Sequence, residues 1–140
     1  MRTILLVGED ALLLDSRAAV LSRTKAGTLN ASQYEVAVYR SQRFDLLVLC
    51  HTLRQGDRIA VAELARHQWP EIPILQVLQY EWEQFVTLKY ADQFVLSCDP
   101  GKLLQRATEL LEKPLKQSRR TISDHLSPAA DKQSATNFLR

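Results

Sequence analysis

FDLLVLCHTL, residues 44–53, sets an unbroken aliphatic run against an abrupt polar end at Cys50 and His51. A run of this length without alternation suits a parallel strand covered on both faces, because neither side meets water. The polar end admits three chemistries. Cys50 and His51 are the residue types of a nucleophile with its base, of two metal ligands, or of ordinary packing at a strand tip.

Three more aliphatic runs share the character of residues 46–50: ILLV at 4–7, ILQVL at 74–78 and FVLS at 94–97. The intervals between them carry helical spacing. Leu14, Ala18 and Leu21 fall at i, i+4 and i+7 after Asp10, with Gly27 as the expected stop. Val61, Leu64 and Ala65 form a second stripe that ends at Trp69-Pro70. The last interval predicts a helix over 99–113: Asp99 caps it, Pro100 fits its first turn, and Leu103, Ala107, Leu110 and Leu111 form its buried stripe.

Residues 26–43 read two ways. YEVAVY (34–39) is rich in β-favouring residues. A strand there, however, would reach Leu46 through RSQRFD, a link too short for a parallel crossover. A strand at 28–31 followed by a helix at 33–40 restores a regular alternation and is the preferred reading. Five βα units in a row then predict an α/β fold, a doubly wound parallel sheet with helices on both faces. Ligands of such sheets bind at the carboxyl ends of the strands, where Cys50 lies.

Composition narrows the classes. At 140 residues, 46% hydrophobic and 24% charged, the chain has the make-up of one soluble domain with a full core. The net charge is +2, and from Pro114 onward five Lys/Arg stand against two Asp. The body is therefore almost neutral and lacks the basic face of a nucleic-acid binder. Two cysteines, no secretory signal and no apolar run near ~20 residues predict a cytoplasmic protein without membrane association. The expected division is a folded body over 1–113 and a disordered basic tail over 114–140, bearing Lys116, Arg119 and Arg120.

The pattern resembles a CheY-like receiver domain of two-component response regulators over roughly Arg2 to Lys113, the whole folded body. ILLVGED resembles the family's first strand and acidic cluster. FDLLVLCHTL resembles its third strand and acceptor loop, and ADQFVLSCDPGKLL its last strand, turn and final helix. The resemblance implies a flavodoxin/CheY-like sheet in the order 2-1-3-4-5. It also implies phosphoryl transfer from a histidine kinase to an Asp, with Mg²⁺ held by that Asp and two acids. This sequence departs from the motif. The acidic pair falls on Gly8 and Glu9, with Asp10 next in line, and the acceptor position falls on Cys50. The Thr/Ser position falls on Leu78 and the Lys position on Ser97, while Phe94 keeps the aromatic type of the last strand. A thiol is a poor partner for Mg²⁺, which takes oxygen. Leu78 cannot hold a phosphoryl oxygen, and Ser97 brings it no charge.

The expectation is a non-enzymatic pseudo-receiver with no cofactor, acting by protein interaction within a phosphorelay-type pathway. Glu9 and Asp10 are weak Mg²⁺ candidates. Cys50 as a redox-sensing thiol, and an unorthodox phosphorylatable regulator, are the alternatives. Neighbouring strand side chains point to opposite faces, so Cys50 and His51 meet only if the chain turns sharply between them. A Cys50–Cys98 disulfide would have to span two strand spacings, about 10 Å, where about 7 Å is the limit. Cys50, His51 and Cys98 lack paired zinc-ligand spacing, and His67 and His125 are scattered. Five of the ten aromatic residues, Tyr80, Trp82, Phe85, Tyr90 and Phe94, crowd the fourth helix and fifth strand. They form the expected face for a protein partner or a second copy.

Overall fold

The computed structural model describes residues 1–112. Lys113 and the basic tail lie outside the described residues, so the expected division at 113 is not addressed by the structure. Five strands form one parallel sheet: β1 (Thr3–Val7), β2 (Gly27–Ala31), β3 (Leu46–Leu49), β4 (Ile74–Leu78) and β5 (Gln93–Leu96). Their order is β2-β1-β3-β4-β5, as the resemblance implied. Four α-helices connect or follow them: α1 (Ala11–Leu21), α2 (Gln55–Gln68), α3 (Gln84–Thr87) and α4 (Pro100–Glu112).

Strand alternation sorts the aliphatic runs into two cores. Ile4, Leu6, Leu46, Val48, Cys50, Leu75 and Val77 face α1 and α4, joining Leu14, Leu21, Leu103 and Ala107. Leu5, Val7, Leu47, Leu49 and Ile74 face the other way, onto Val36, Val61, Ala62 and Ala65. Every residue of β3 is therefore buried, which is why its sequence shows no alternation.

Four expectations shift. Residues 33–40 do not form an α-helix; Gln33–Tyr39 is a 3-10 segment in which only Val36 is buried. With Tyr34 and Val38 exposed, and Tyr34, Val36, Val38 and Tyr39 all aromatic or β-branched, neither burial nor propensity favours α-geometry there. The strand before it starts at Gly27, not Thr28. Gly27 is thus not the stop of α1. The helix ends at Leu21, continues as a 3-10 turn at Ser22–Thr24, and closes on Lys25 in the left-handed region, φ 70°. The last strand begins one residue early and ends at Leu96, leaving Ser97 just beyond it. The Asp99 cap holds as expected, Oδ1 accepting from Lys102 N–H at 3.0 Å.

Because Leu47 is wholly buried on the central strand, Leu47→Ala removes its transfer free energy and leaves a cavity. The expected loss is about 3 kcal/mol, read as a lower urea midpoint at unchanged slope.

Candidate functional site

The sheet reverses direction of winding between β1 and β3, and the crevice outside their carboxyl ends is where such folds place ligands. Gly8 follows β1 and Cys50 follows β3, each still tied to the sheet: Gly8 N–H donates to Ala31 O at 3.1 Å, and Cys50 N–H to Val7 O at 2.9 Å. The two residues are in close contact. A Cβ on Gly8 would lie 3.0 Å from Cys50 Cβ, 3.1 Å from Leu14 Cδ2 and 3.2 Å from Thr52 Oγ1. No side chain enters there unless those neighbours give way.

The sequence-derived pocket residues separate. Gly8, Cys50 and Leu78 are buried, while Glu9 and Asp10 are exposed. Glu9 N–H donates to Thr52 Oγ1 at 3.1 Å. Asp10 caps α1, its Oδ1 accepting from the N–H groups of Leu12 and Leu13. Ser97 is half-buried and tied to the tip of β4, its N–H donating to Leu78 O at 2.7 Å.

Cys50 is 1% exposed, enclosed within the α1/α4 core. Burial pushes its thiol up to about 11, against the pull of the Arg17 guanidinium beside it. Both cysteines are free, Cys50 buried and Cys98 exposed. Among the described residues no cluster of three or more His, Cys, Asp or Glu could hold a metal ion.

Two buried arginines that the sequence reading passed over organise this rim. Arg17 is 7% exposed, and its Nη2 lies 3.1 Å from His51 Nδ1. A guanidinium only donates, so Nδ1 accepts and the neutral ring carries its proton on Nε2. No carboxylate pairs with Arg17 among the described residues, and its Nη1 is buried without a hydrogen-bond partner. Arg58 is fully engaged. Its Nε donates to Leu53 O at 2.9 Å, its Nη2 to His51 O at 2.8 Å, and its Nη1 to Glu83 Oε1 at 2.7 Å. For the Glu83 carboxyl, burial raises the pKa, but hydrogen bonds from Arg58 and the Tyr80 backbone outweigh it and hold it below the usual range. A signal existed in the sequence. Arg17 and Arg58 fall on the stripes Leu14–Leu21 and Val61–Ala65, at spacings that turn them inward.

The expected aromatic face also divides. Trp82 and Phe85 are 69% and 76% exposed, and Tyr80 stacks on Trp82 with ring centroids 6.1 Å apart and planes 10° from parallel. Leu88 is exposed beside them in sequence, a residue the aromatic count did not include. Tyr90 and Phe94 are partly buried. Tyr90 OH donates to Gln76 Oε1 at 3.0 Å, while Gln76 Nε2 donates to Leu49 O and Val77 O. The cause is α3, only four residues long after a 3-10 turn at Glu81–Glu83, which has too little length to turn every ring inward.

Comparison with solved structures places this architecture. A response regulator receiver domain protein from Methanospirillum hungatei matches at TM-score 0.69 and 22% identity, covering 86% of this chain and 98% of that one. A putative response regulator from Chloroflexus aurantiacus matches at 0.70 and 18%, over 80% and 98% of the two chains. A response regulator from Thermotoga maritima, in complex with Mg²⁺ and BeF, matches at 0.69 and 19%, over 79% and 99%. No protein-family model matches the sequence, and no curated protein matches it. The chain has the receiver fold of two-component response regulators.

The His51 contact gives a pH dependence. Burial, then the charges of Arg17 and Arg58, lower the pKa of His51, so the unfolded chain binds its proton more readily than the folded one. Its contribution is complete above the unfolded value of about 6.5 and is lost as pH falls through the lowered folded value. Glu83 titrates in a lower window. The urea midpoint should therefore fall between about pH 7.5 and 5.5, with a shallower fall in His51→Asn, whose amide oxygen still accepts from Arg17. Identical profiles for the two proteins would remove His51 as the source.

Proposed function

We propose that this chain is a phosphorylation-independent receiver-like module that signals by protein contact rather than by catalysis. The observation that carries the reading is the filled crevice: Gly8 packs against Cys50, and the Arg17 guanidinium lies beside that thiol. Mg²⁺ does not fit these residues. It takes hard oxygen ligands, whereas the crevice offers a protonated, buried thiol, no side chain at Gly8 and a fixed positive charge. Glu9 is exposed, and Asp10 is engaged as the α1 cap. Leu78 supplies no hydroxyl and Ser97 no cation to hold phosphoryl oxygens at those two positions. Burial and the raised pKa weigh against Cys50 as a thiol sensor, which needs an accessible thiolate.

Intact mass after incubation with acetyl phosphate and Mg²⁺ tests this directly. Wild type and Cys50→Ser should gain no phosphoryl group. Cys50→Asp should also stay unmodified, because the missing carboxylate at Gly8 and the Arg17 charge persist. An adduct on wild type that survives in Cys50→Ser would move the acceptor to another residue, Asp10 first, and sink the reading.

The contact surface proposed is Tyr80, Trp82, Phe85 and Leu88 around α3, for a second copy or a protein partner. Exposed aromatic side chains of this size are the usual anchors of an interface. Trp82→Ala, at a side chain already 69% exposed, should leave the urea midpoint within about 0.5 kcal/mol of wild type. The same variant should weaken self-association in sedimentation, or partner capture, by roughly tenfold or more. Wild-type behaviour in both assays would remove this face as the contact.

A further inference from the structure

We propose that the cavity between α1 and the start of α4 is a binding site for a small monocarboxylate with an apolar body, recognised through Arg17. The cavity is about 140 Å³ and is walled by Leu13, Val20, Val77, Leu96 and Leu103, with Arg17 also in its lining. An apolar cavity of about 150 Å³ accommodates benzene, so the space suits one ring or one branched aliphatic group. It lies on the α1/α4 side of the sheet, apart from the aromatic face around α3.

The charge argument is independent of the cavity's size. A buried arginine such as Arg17, 7% exposed, costs several kcal/mol unless an anion or a full set of acceptors balances its charge. Arg58 shows the balanced case in this same molecule, with two carbonyls and Glu83 around it. Arg17 has a neutral imidazole nitrogen, a protonated thiol nearby, and Nη1 with no partner. A planar carboxylate matches the guanidinium fork in shape and charge. Ser16 and Ser97, also in the lining, supply hydroxyl donors. Asp99, the other charged group there, is held as the cap of α4. It repels a carboxylate placed near it and so orients the ligand with its anionic end toward Arg17. Binding here would stand whether or not the position of Cys50 takes a phosphoryl group.

The test uses the full chain with benzoate as probe, benzyl alcohol as its neutral counterpart, and inorganic phosphate as an anion without an apolar body. Binding is read by calorimetry and by methyl NMR shifts at Val77, Leu96 and Leu103. Saturable benzoate binding is expected, with shifts at those methyls. Benzyl alcohol should bind about tenfold more weakly, equivalent to about 1.4 kcal/mol, and phosphate should not shift them. Arg17→Met should abolish the preference for benzoate over the alcohol. Val20→Phe, which fills the cavity from α1 without touching the charge, should abolish both. Equal binding of acid and alcohol to wild type, or no saturable benzoate binding, overturns the proposal. So does a preference that survives Arg17→Met. If that variant does not fold, Val20→Phe decides alone: benzoate binding retained there overturns the site.

Discussion

The guanidinium of Arg58 fixes the carboxyl end of this sheet. It rises from the first turn of α2 and binds the carbonyls of His51 and Leu53, which belong to the loop leaving β3. Its third contact, Glu83, belongs to the turn leaving β4. One side chain thus locks two neighbouring loops to each other and to a helix. Withdrawing either partner of such a pair strands a buried charge at a cost of about 3–5 kcal/mol. Since α3 is only four residues long, the β4–β5 crossover has little helix–sheet packing of its own. Arg58 and the Gln76–Tyr90 contact do the holding there.

Arg17 is the same residue type in an opposite situation. It enters from α1, on the other face of the sheet, and meets a histidine and a thiol instead of a carboxylate. The rim therefore carries two buried positive charges, one neutralised and one not, and both lower the pKa of His51 between them. That asymmetry leaves the rim with an uncompensated positive charge at Arg17. It also explains why Cys50, flanked by a guanidinium, still holds its proton: desolvation outweighs the pull.

Much of the fold was legible in the sequence because buried parallel strands leave an unambiguous trace. The runs at 46–50 and 74–78 lie within a residue of β3 and β4, and the spacing argument at RSQRFD correctly set aside YEVAVY as a strand. What failed was local geometry without a strong apolar signature. Residues 33–39 bury only Val36, so nothing in their pattern separates α from 3-10 turns. At the site, the strand-tip position of Cys50 was readable, but its enclosure was not, since that depends on Gly8 at the tip of β1 and on the α1/α4 core closing over it. Arg17 and Arg58 were missed because a charged residue on an apolar stripe is ordinarily taken as solvated. Their spacing turns both inward, but only the surrounding acceptors show that Arg58 is compensated there, and only their shortage that Arg17 is not.

The sheet's two edges bear on how copies of the molecule can meet. β2 and β5 are five and four residues long, roughly 13–17 Å, and β2 reads Gly-Thr-Leu-Asn-Ala. Edges this short, one of them interrupted by Gly and Asn, present few free backbone groups to a neighbouring strand and little incentive to extend the ladder. Growth of one sheet into the next, the route by which exposed edges lead to fibrous aggregates, is thereby discouraged. Contact between copies is left to side chains, among which Tyr80, Trp82, Phe85 and Leu88 are exposed.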